Sequence, residues 1–144
     1  MAQSFRCKLV TPTAALLDDR VTYANIPAYD GLMGVLAGHA PSLVKLGQGE
    51  LKLDMADDAK LGKGGSRSFL IDGGFMKVAN NEVTILAEAA FPAESLNAAD
   101  ADAEVKALSE AKPKDNSAAA METLTRQRSL ARHKASMARN SKGI

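Results

Sequence analysis

The stretch from Phe69 to Leu86, FLIDGGFMKVANNEVTIL, contains three short apolar runs separated by two groups of turn-forming residues. Asn80 and Asn81 divide the second run from the third, and asparagine tolerates the positive φ angles that a two-residue hairpin requires. The range 72–74, Asp-Gly-Gly, divides the first run from the second. We interpret it as a tight bend where another backbone segment approaches closely, in preference to a metal or nucleotide turn. The stretch therefore predicts short β-strands joined by turns.

The same kind of pattern covers the rest of the first ninety residues. In the range 5–9, FRCKL, apolar and polar residues alternate strictly, which is typical of a half-buried strand. The range 51–55, LKLDM, alternates in the same way after a glycine break at 47–49, and Asp18-Asp19 indicates a further turn. The polar, glycine-rich range 57–66 predicts a mobile loop. Six or more short strands at this spacing favour a β-sandwich or barrel.

Composition changes after Phe91-Pro92, where alanine becomes dominant and glycine nearly disappears. Residues 112–116, KPKDN, divide the C-terminal third of the chain into two predicted helices, with Ser95 and Ser117 as their expected N-caps. We therefore expect a β-sandwich domain over 1–91 and an antiparallel α-helical hairpin over 92–144. The apolar stripes expected to meet are Ala98, Ala101, Val105 and Leu108 of the first helix and Met121, Leu124, Ala131, Ala135 and Ala138 of the second.

Charge separates the two predicted helices. Residues 94–122 carry seven acidic residues against three lysines, a net charge of −4, whereas residues 123–144 carry six basic residues and no acid, a net charge of +6. Three interpretations are open: a solvated face paired with the acidic helix, a surface that binds an acidic protein, and a contact with nucleic-acid phosphates. Few aromatic residues accompany the basic ones, so we rank nucleic acid third. The basic residues are Arg126, Arg128, Arg132, Lys134, Arg139 and Lys142.

Several chemistries find no support in the sequence. The single Cys7 excludes an internal disulfide, and the histidines His39 and His133 are too far apart for a metal-ligand motif. His39 has only Ser42 near it, without the context of a catalytic triad, so we interpret it as a structural or partner-contacting residue. The range 62–65, GKGG, lacks the spacing of a phosphate loop and is interpreted as a linker. No apolar run approaches the ~20 residues of a membrane span and no signal segment is evident, so we expect a cytoplasmic protein.

Nine short motifs succeed one another over nearly the whole chain. They are Val10-Thr11-Pro12, Leu16-Leu17-Asp18, Ile26-Pro27-Ala28, Asp30-Gly31, Gly34-Val35-Leu36, Gly38-His39-Ala40-Pro41, Gly49-Glu50-Leu51, Gly73-Gly74-Phe75 and Val83-Thr84-Ile85-Leu86-Ala87-Glu88. In this order, with an alanine-rich helix pair after them, they resemble the epsilon subunit of bacterial and chloroplast F-type ATP synthase. The resemblance implies a β-sandwich of about ten short strands and then the helical hairpin, in agreement with the patterns above.

The resemblance also implies a noncatalytic rotor subunit without a cofactor or a metal. The sandwich would bind the gamma subunit and lie on the c-subunit ring, so that proton-driven rotation reaches the alpha and beta subunits of the catalytic head. Such a subunit would have no nucleic-acid partner, and its membrane association would be indirect, at the cytoplasmic face of the bacterial inner membrane or, alternatively, at the chloroplast thylakoid. Independently of the resemblance, a module that binds nucleic acid or another acidic partner through its basic helix remains the alternative, and an independent hydrolase is a third.

Site residues are carried over from the family one by one. Tyr29, Asp30, Gly31, Leu32, Met33 and Gly34 would face the c ring, and His39, Ala40 and Pro41 would lie near gamma. Leu32 occupies a position that is commonly acidic in the family, and Ala37 one that is commonly proline, although Asp30 is available to supply the charge.

The helical hairpin has two states in many family members. In the extended state its basic residues meet an acidic segment of beta and block ATP hydrolysis, and the matching candidates here are Arg126, Arg128, Arg132 and Lys134. The ATP-binding motif of some members is degraded in this chain, because Asn97 replaces its aspartate and Asp100 replaces its arginine. We therefore expect weak or absent ATP binding.

Overall fold

Residues 3–56 and 65–142, which the computed structural model describes, contain seven strands, one short 3-10 turn and two helices. The strands are β1 (Phe5–Val10), β2 (Ala15–Ala28), β3 (Gly31–Leu36), β4 (Ser42–Met55), β5 (Ser66–Ala79), β6 (Glu82–Ala87) and β7 (Ala90–Pro92). The 3-10 turn Ala93–Ser95 precedes the helices α1 (Ala98–Glu110) and α2 (Ala118–Lys142). The chain forms two compact units, 1–91 and 92–144.

The first unit is a β-sandwich closed on itself. Its strands follow the order β1-β6-β5-β4-β2-β3, and β7 pairs with β5. Within the row from β1 to β3, neighbouring strands are antiparallel except β1 and β6, which run parallel. Because β1 also pairs with β2, the row of strands closes into a ring around one core. The predicted inward residues of β1, Phe5, Cys7 and Leu9, are all fully buried in that core.

The number of strands differs from the sequence-based expectation of about ten. β2, β4 and β5 each run for 14 residues through positions that were expected to interrupt them. Asp18 is not part of a turn, because it lies within β2 and pairs with Lys8 of β1. Its carboxylate accepts two hydrogen bonds of 2.8 Å from the Arg6 side chain. This long-range contact outweighs the local turn preference of the two aspartates, so the strand continues.

The glycines of β4 and β5 also leave the strands unbroken. Leu46 pairs with Gly74 and Gln48 with Asp72, so the register continues across the expected break at 47–49. Gly73 and Gly74 have positive φ angles, 74° and 122°. A side chain at Gly74 would collide with the Leu86 carbonyl oxygen, so the predicted close approach of another backbone segment is confirmed. The predicted interruption of the strand is wrong.

Two of the predicted connections between strands can be compared with the structure. One has the predicted form, and the other lies partly outside the described residues. Asn80 and Asn81 form the predicted two-residue hairpin between β5 and β6, with φ angles of 52° and 58°. Of the predicted loop 57–66, residues 57–64 lie outside the described residues, as does most of the predicted linker 62–65, and Ser66 already belongs to β5.

The second unit is the predicted helical hairpin. Ser117 caps α2 as expected, since its hydroxyl accepts a hydrogen bond from the Ala120 amide. The cap of α1 is Asn97 rather than Ser95, because the Ser95 hydroxyl donates to the Pro92 carbonyl while the Asn97 side chain accepts from the first turn of the helix. Met121 was expected in the apolar stripe but is 51% exposed. The stripe residues that are buried are Ala101 of α1 and Leu124, Ala131, Ala135 and Ala138 of α2. In the described residues, neither helix is long and apolar enough to cross a membrane.

Candidate interaction surfaces

The hairpin between β2 and β3 carries the residues predicted to face the c ring. Tyr29 and Asp30 form its two-residue turn, and the range 31–34 begins β3. Gly31 has a φ angle of 137°, which favours glycine at the end of the turn. The Tyr29 amide donates a hydrogen bond of 2.8 Å to the Lys45 carbonyl, so the turn is attached to β4. All six predicted residues, Tyr29 to Gly34, therefore lie together at one end of the sandwich.

A groove of about 520 Å³ lies beside this turn. We call it the turn groove; its lining includes Tyr29, Asp30, Leu32, Leu43, Val44 and Lys45. Three of its apolar side chains point into solvent, with exposed fractions of 71% for Tyr29, 69% for Leu32 and 75% for Leu43. The Lys45 ammonium lies 5.3 Å from the centre of the Tyr29 ring, within the range of a cation–π contact. The turn groove thus combines exposed apolar side chains with polar surface, including one carboxylate and one ammonium among these six residues.

Two further exposed apolar residues lie on the sheet next to the turn groove. Phe75 and Leu86 pair across β5 and β6, and more than half of each residue is exposed. Phe75 also pairs with Lys45, whose side chain reaches Tyr29. We call Leu86, Phe75, Lys45 and Tyr29 the cross-sheet row. Leu43, Lys45, Phe75 and Leu86 were not among the residues predicted from the sequence. Each is an apolar or basic residue at an outward position of an alternating strand. Only the register of the strands shows that these residues lie on one surface.

The predicted gamma residues lie at the other end of β3. His39, Ala40 and Pro41 come after Leu36 in the connection to β4, and Pro41 is two residues before Leu43, which lines the turn groove. His39 is half-buried beside a shallow pocket of about 320 Å³ that Tyr23 and Leu36 also line. The residues predicted to face the c ring and those predicted to lie near gamma therefore belong to two different connections, before and after β3, and the second connection leads into the part of β4 that lines the turn groove.

The surroundings of His39 do not form a nucleophile–base pair. Its ring nitrogen Nδ1 lies 2.8 Å from the Ala40 carbonyl oxygen, and the Ser42 hydroxyl donates to that same oxygen at 3.0 Å. Both side chains are thus engaged with one backbone carbonyl. In the part of the chain that the structure describes, no group of His, Cys, Asp or Glu is arranged to hold a metal. Burial raises the pKa of the Cys7 thiol to about 12, so it remains protonated and unreactive.

Basic residues of α2 meet acidic or carbonyl groups of α1. The Arg128 guanidinium donates to the carbonyl oxygens of Leu108 and Ala111, at 2.8 and 2.9 Å. Lys134 lies 3.5 Å from Glu104, and the same distance separates Arg139 from Asp102. Because Arg128 meets the end of α1 and Arg139 its beginning, the helices are antiparallel. Of the four predicted beta-contacting residues, Arg128 and Lys134 make these contacts within the hairpin, and the Arg126 and Arg132 side chains are exposed.

The degraded nucleotide motif lies at the N-terminus of α1. The Asn97 side-chain oxygen accepts hydrogen bonds from the amides of Ala99 and Asp100, at 2.8 and 3.3 Å. Asp100 is exposed in the first turn, where a negative charge suits the helix dipole. Asn97 and Asp100 therefore stabilise the N-terminus of α1, and neither residue supplies a cation that could bind a phosphate.

Comparison with known proteins gives consistent similarities. The family model for the ATP synthase delta/epsilon chain β-sandwich domain matches residues 4–93. The ATP synthase epsilon chain of Lawsonia intracellularis is 38% identical over 103 residues, which are 72% of each chain. That of Rhodopirellula baltica is 35% identical over 108 residues, covering 75% of this chain and 77% of the relative.

Two solved structures share the fold. A chain of the Euglena gracilis mitochondrial ATP synthase superposes with a TM-score of 0.73 at 24% identity, covering 92% of this chain and 79% of the other. A chain of the Tetrahymena thermophila mitochondrial ATP synthase central stalk and c-ring gives a TM-score of 0.63 at 20% identity, covering 94% and 97%.

Proposed function

The chain belongs to the family of ATP synthase epsilon chains, and from this premise we propose that it is a noncatalytic subunit of the central stalk of an F-type ATP synthase. In this role the sandwich binds gamma and lies on the c ring, so that rotation of the ring is coupled to ATP synthesis in the alpha and beta subunits. The subunit is peripheral, at the cytoplasmic face of a bacterial inner membrane, with the thylakoid as the alternative.

The observation that carries the proposal is the exposed apolar surface of the sandwich. Tyr29, Leu32 and Leu43 of the turn groove, with Phe75 and Leu86 of the cross-sheet row, are each more than half exposed. Soluble monomers rarely expose contiguous apolar patches of this kind, and such patches mark sites of protein association. A subunit that is covered by partners accounts for this surface, whereas an independent hydrolase does not require it.

We assign the turn groove to the c ring. Leu32 supplies no charge at its position, so the contact on this side relies on apolar packing, and Asp30 is the carboxylate that remains for a polar loop of the ring. Lys45 offers a cation close to Tyr29. We assign the surface around His39, Ala40 and Pro41 to gamma, because His39 lies beside a pocket lined by Tyr23 and Leu36 and not in the lining of the turn groove.

The first test is a titration of this chain with the gamma subunit from the same source, by calorimetry and size-exclusion chromatography at micromolar concentrations. We expect a stable one-to-one complex. His39→Glu should weaken it at least tenfold, because it puts a carboxylate into a half-buried contact. Thr13→Glu adds the same charge on an exposed turn and is the matched control, expected to bind like the parent chain. Equal losses for both variants would contradict the gamma assignment.

Failure of the complex to form would overturn the stalk role. Binding of DNA or RNA at physiological ionic strength with a steep dependence on salt, unaffected by gamma, would then support the alternative in which the basic helix is the binding element. The contacts between Arg128, Lys134 and α1 argue against that alternative, since they engage two of the basic residues within the hairpin.

The hairpin forms the regulatory part of the proposal. In the extended state Arg126, Arg128, Arg132 and Lys134 would meet an acidic segment of beta and inhibit ATP hydrolysis. A coupling free energy of about 1 to 3 kcal/mol, ordinary for regulation, is enough for a useful switch. The net charge of +6 on residues 123–144 supports a partner of this kind.

We further propose that the chain does not bind ATP at its first helix. Asn97 is engaged as the helix cap, and Asp100 places an anion where a phosphate would need a cation. Calorimetric titration should show no saturable binding of ATP below millimolar concentration, and saturable binding would overturn the proposal. The double variant Asn97→Asp/Asp100→Arg restores both motif residues and is the matched comparison for the same titration.

A further inference from the structure

The C-terminal end of α1 is a position where a helix favours a nearby cation. The last carbonyls of a helix have no partner within the helix, and together they carry a partial negative charge. No basic residue lies in the last turn of α1, and Glu110, its last residue, adds a negative charge at the same end. The Ala111 amide bonds to the Leu108 carbonyl at 3.3 Å and closes only part of this end. A cation from elsewhere would stabilise it.

Arg128 of α2 supplies that cation. Its Nε donates to the Leu108 carbonyl oxygen and its Nη2 to the Ala111 carbonyl oxygen, at 2.8 and 2.9 Å. Both bonds are short, both involve a charged donor, and the side chain is half-buried, so solvent screens them less than it screens an exposed pair. The planar guanidinium fits two carbonyls at once, which the ammonium of a lysine cannot do in the same geometry.

The other described contacts between the two helices are weaker in kind. The pairs Lys134–Glu104 and Arg139–Asp102 are 3.5 Å apart, with the Asp102 and Arg139 side chains more than half exposed. The exposed pair Arg139–Asp102 contributes little to stability, whereas the Lys134 side chain is only 18% exposed, so solvent screens its pair with Glu104 less. The buried stripe residues are mainly alanines, whose small side chains bury little apolar area. Among these contacts, the hydrogen bonds of Arg128 are the shortest polar ones between the two helices.

We propose that Arg128 is the clasp of the helical hairpin: its two hydrogen bonds to the end of α1 set how often the two helices separate. The clasp rests on contacts within the second unit alone. Only its consequence for ATP hydrolysis rests on the proposed function, because separation of the helices would release Arg128 for an outside anionic partner.

Amide hydrogen exchange of the full-length chain tests the clasp. In the Arg128→Ala variant, amides of α1 and of residues 124–138 should exchange about tenfold faster or more, since two charge-assisted hydrogen bonds are lost. Arg128→Lys should be intermediate, because one donor remains. Arg132→Ala is the matched control: it removes an exposed arginine from the same helix and should leave exchange unchanged. Strand β5 provides the internal reference, and its exchange should not change in any variant.

Equal exchange in the Arg128→Ala and Arg132→Ala variants would overturn the clasp. ATP hydrolysis by the reassembled synthase is a separate measurement. Faster exchange without any change in hydrolysis would leave the clasp standing and contradict the proposed contact with beta.

Discussion

Gly74 is a position where the sandwich has no room for a side chain. Its φ angle of 122° disfavours any other residue, and an added Cβ would collide with the Leu86 carbonyl oxygen and lie 2.8 Å from the Ala87 Cα. Gly74→Ala should therefore lower the free energy of unfolding by about 3 kcal/mol, from backbone strain and forced displacement of β6 together. Urea denaturation of the full chain measures it.

Gly38 provides the control for that substitution. It also has a positive φ angle, 81°, but an added Cβ would have no atom within 4 Å. Gly38→Ala should cost only the backbone strain, about 1 kcal/mol. If both variants lost the same stability, the close approach of β6 to Gly74 would have no energetic importance.

The pair formed by Arg6 and Asp18 makes stability depend on pH. The two hydrogen bonds from Arg6, together with its charge, lower the pKa of the Asp18 carboxyl below its usual value of 3.8. A lowered pKa in the folded state stabilises the fold above the unfolded value, and this contribution is lost as pH falls through the folded value. The parent chain should therefore be more stable than Asp18→Asn at pH 6, and the difference should shrink below pH 3.8.

Urea midpoints at pH 6 and at acidic pH measure this difference. Arg6→Gln tests its cause, because removal of the cation should abolish the same pH-dependent contribution. A difference between the parent and Asp18→Asn that stays constant through the acidic range would contradict the role of the pair.

At the scale of elements, the β5–β6 hairpin joins three segments through one side chain. Asn81 accepts a hydrogen bond from the Gly38 amide at 2.9 Å, and its Nδ2 donates to the Ser4 carbonyl at 3.0 Å. Asn81→Ala should cost about 2 to 3 kcal/mol, since it adds strain at a φ of 58° to the loss of both hydrogen bonds. Thermal denaturation of the parent and variants measures this cost.

Two glycine substitutions separate the contributions. Asn81→Gly keeps the backbone free of strain and should lose only the two hydrogen bonds, about 1 to 2 kcal/mol. Asn80→Gly is the control within the same turn and should change stability by less than about 0.5 kcal/mol, because glycine also adopts its conformation. A larger loss at Asn80 than at Asn81 would contradict the joining role of the Asn81 side chain.

Short stretches of sequence predict those elements whose structure is determined by residues within the same stretch. Alternation over 5–9 predicts β1, two asparagines predict the β5–β6 turn, and Ser117 predicts the start of α2. Asp18 within β2 was not predictable, because the strand continues through a contact with Arg6, twelve residues away. Likewise, Asn97 replaces Ser95 as the cap of α1 because a preceding 3-10 turn takes up the serine, and composition does not indicate that turn.

The residues of the candidate interaction surfaces also fall into a group that the sequence predicts and a group that it does not. The motif 29–34 marks the turn groove through the resemblance to a family, and the structure places those residues on one hairpin. Leu43, Phe75 and Leu86 belong to different strands, and each alone resembles an ordinary strand residue. Only the register of β4, β5 and β6 brings them to one face, so no local pattern could identify them.

At the scale of the whole molecule, the two units should be separable. The buried core of the sandwich comes from residues before Phe91, so a chain truncated after Phe91 should stay folded and still bind gamma. It should also alter ATP hydrolysis by the reassembled synthase, because the hairpin is absent. Circular dichroism, gamma binding and hydrolysis assays measure these outcomes.

A shorter truncation is the control. Ending the chain after Ala87 removes β7 and the hydrogen bond from the Asp72 amide to the Ala89 carbonyl, together with that from the Glu88 amide to Gly73. This variant should be less stable than the one that ends at Phe91. If the Phe91 truncation itself unfolded, the division into two units would be wrong.

The parallel pairing of β1 with β6 has a consequence for synthesis on the ribosome. Arg6 pairs with Glu82, so more than seventy residues must be translated after β1 before the ring of strands can close. At about 5 to 20 residues per second, this takes about 4 to 15 s. During that interval β1 can pair only with β2. The apolar side chains on its inward face are not yet covered by the residues of β6. A newly made chain therefore completes the ring of its first strand only when nearly the whole sandwich has been synthesised.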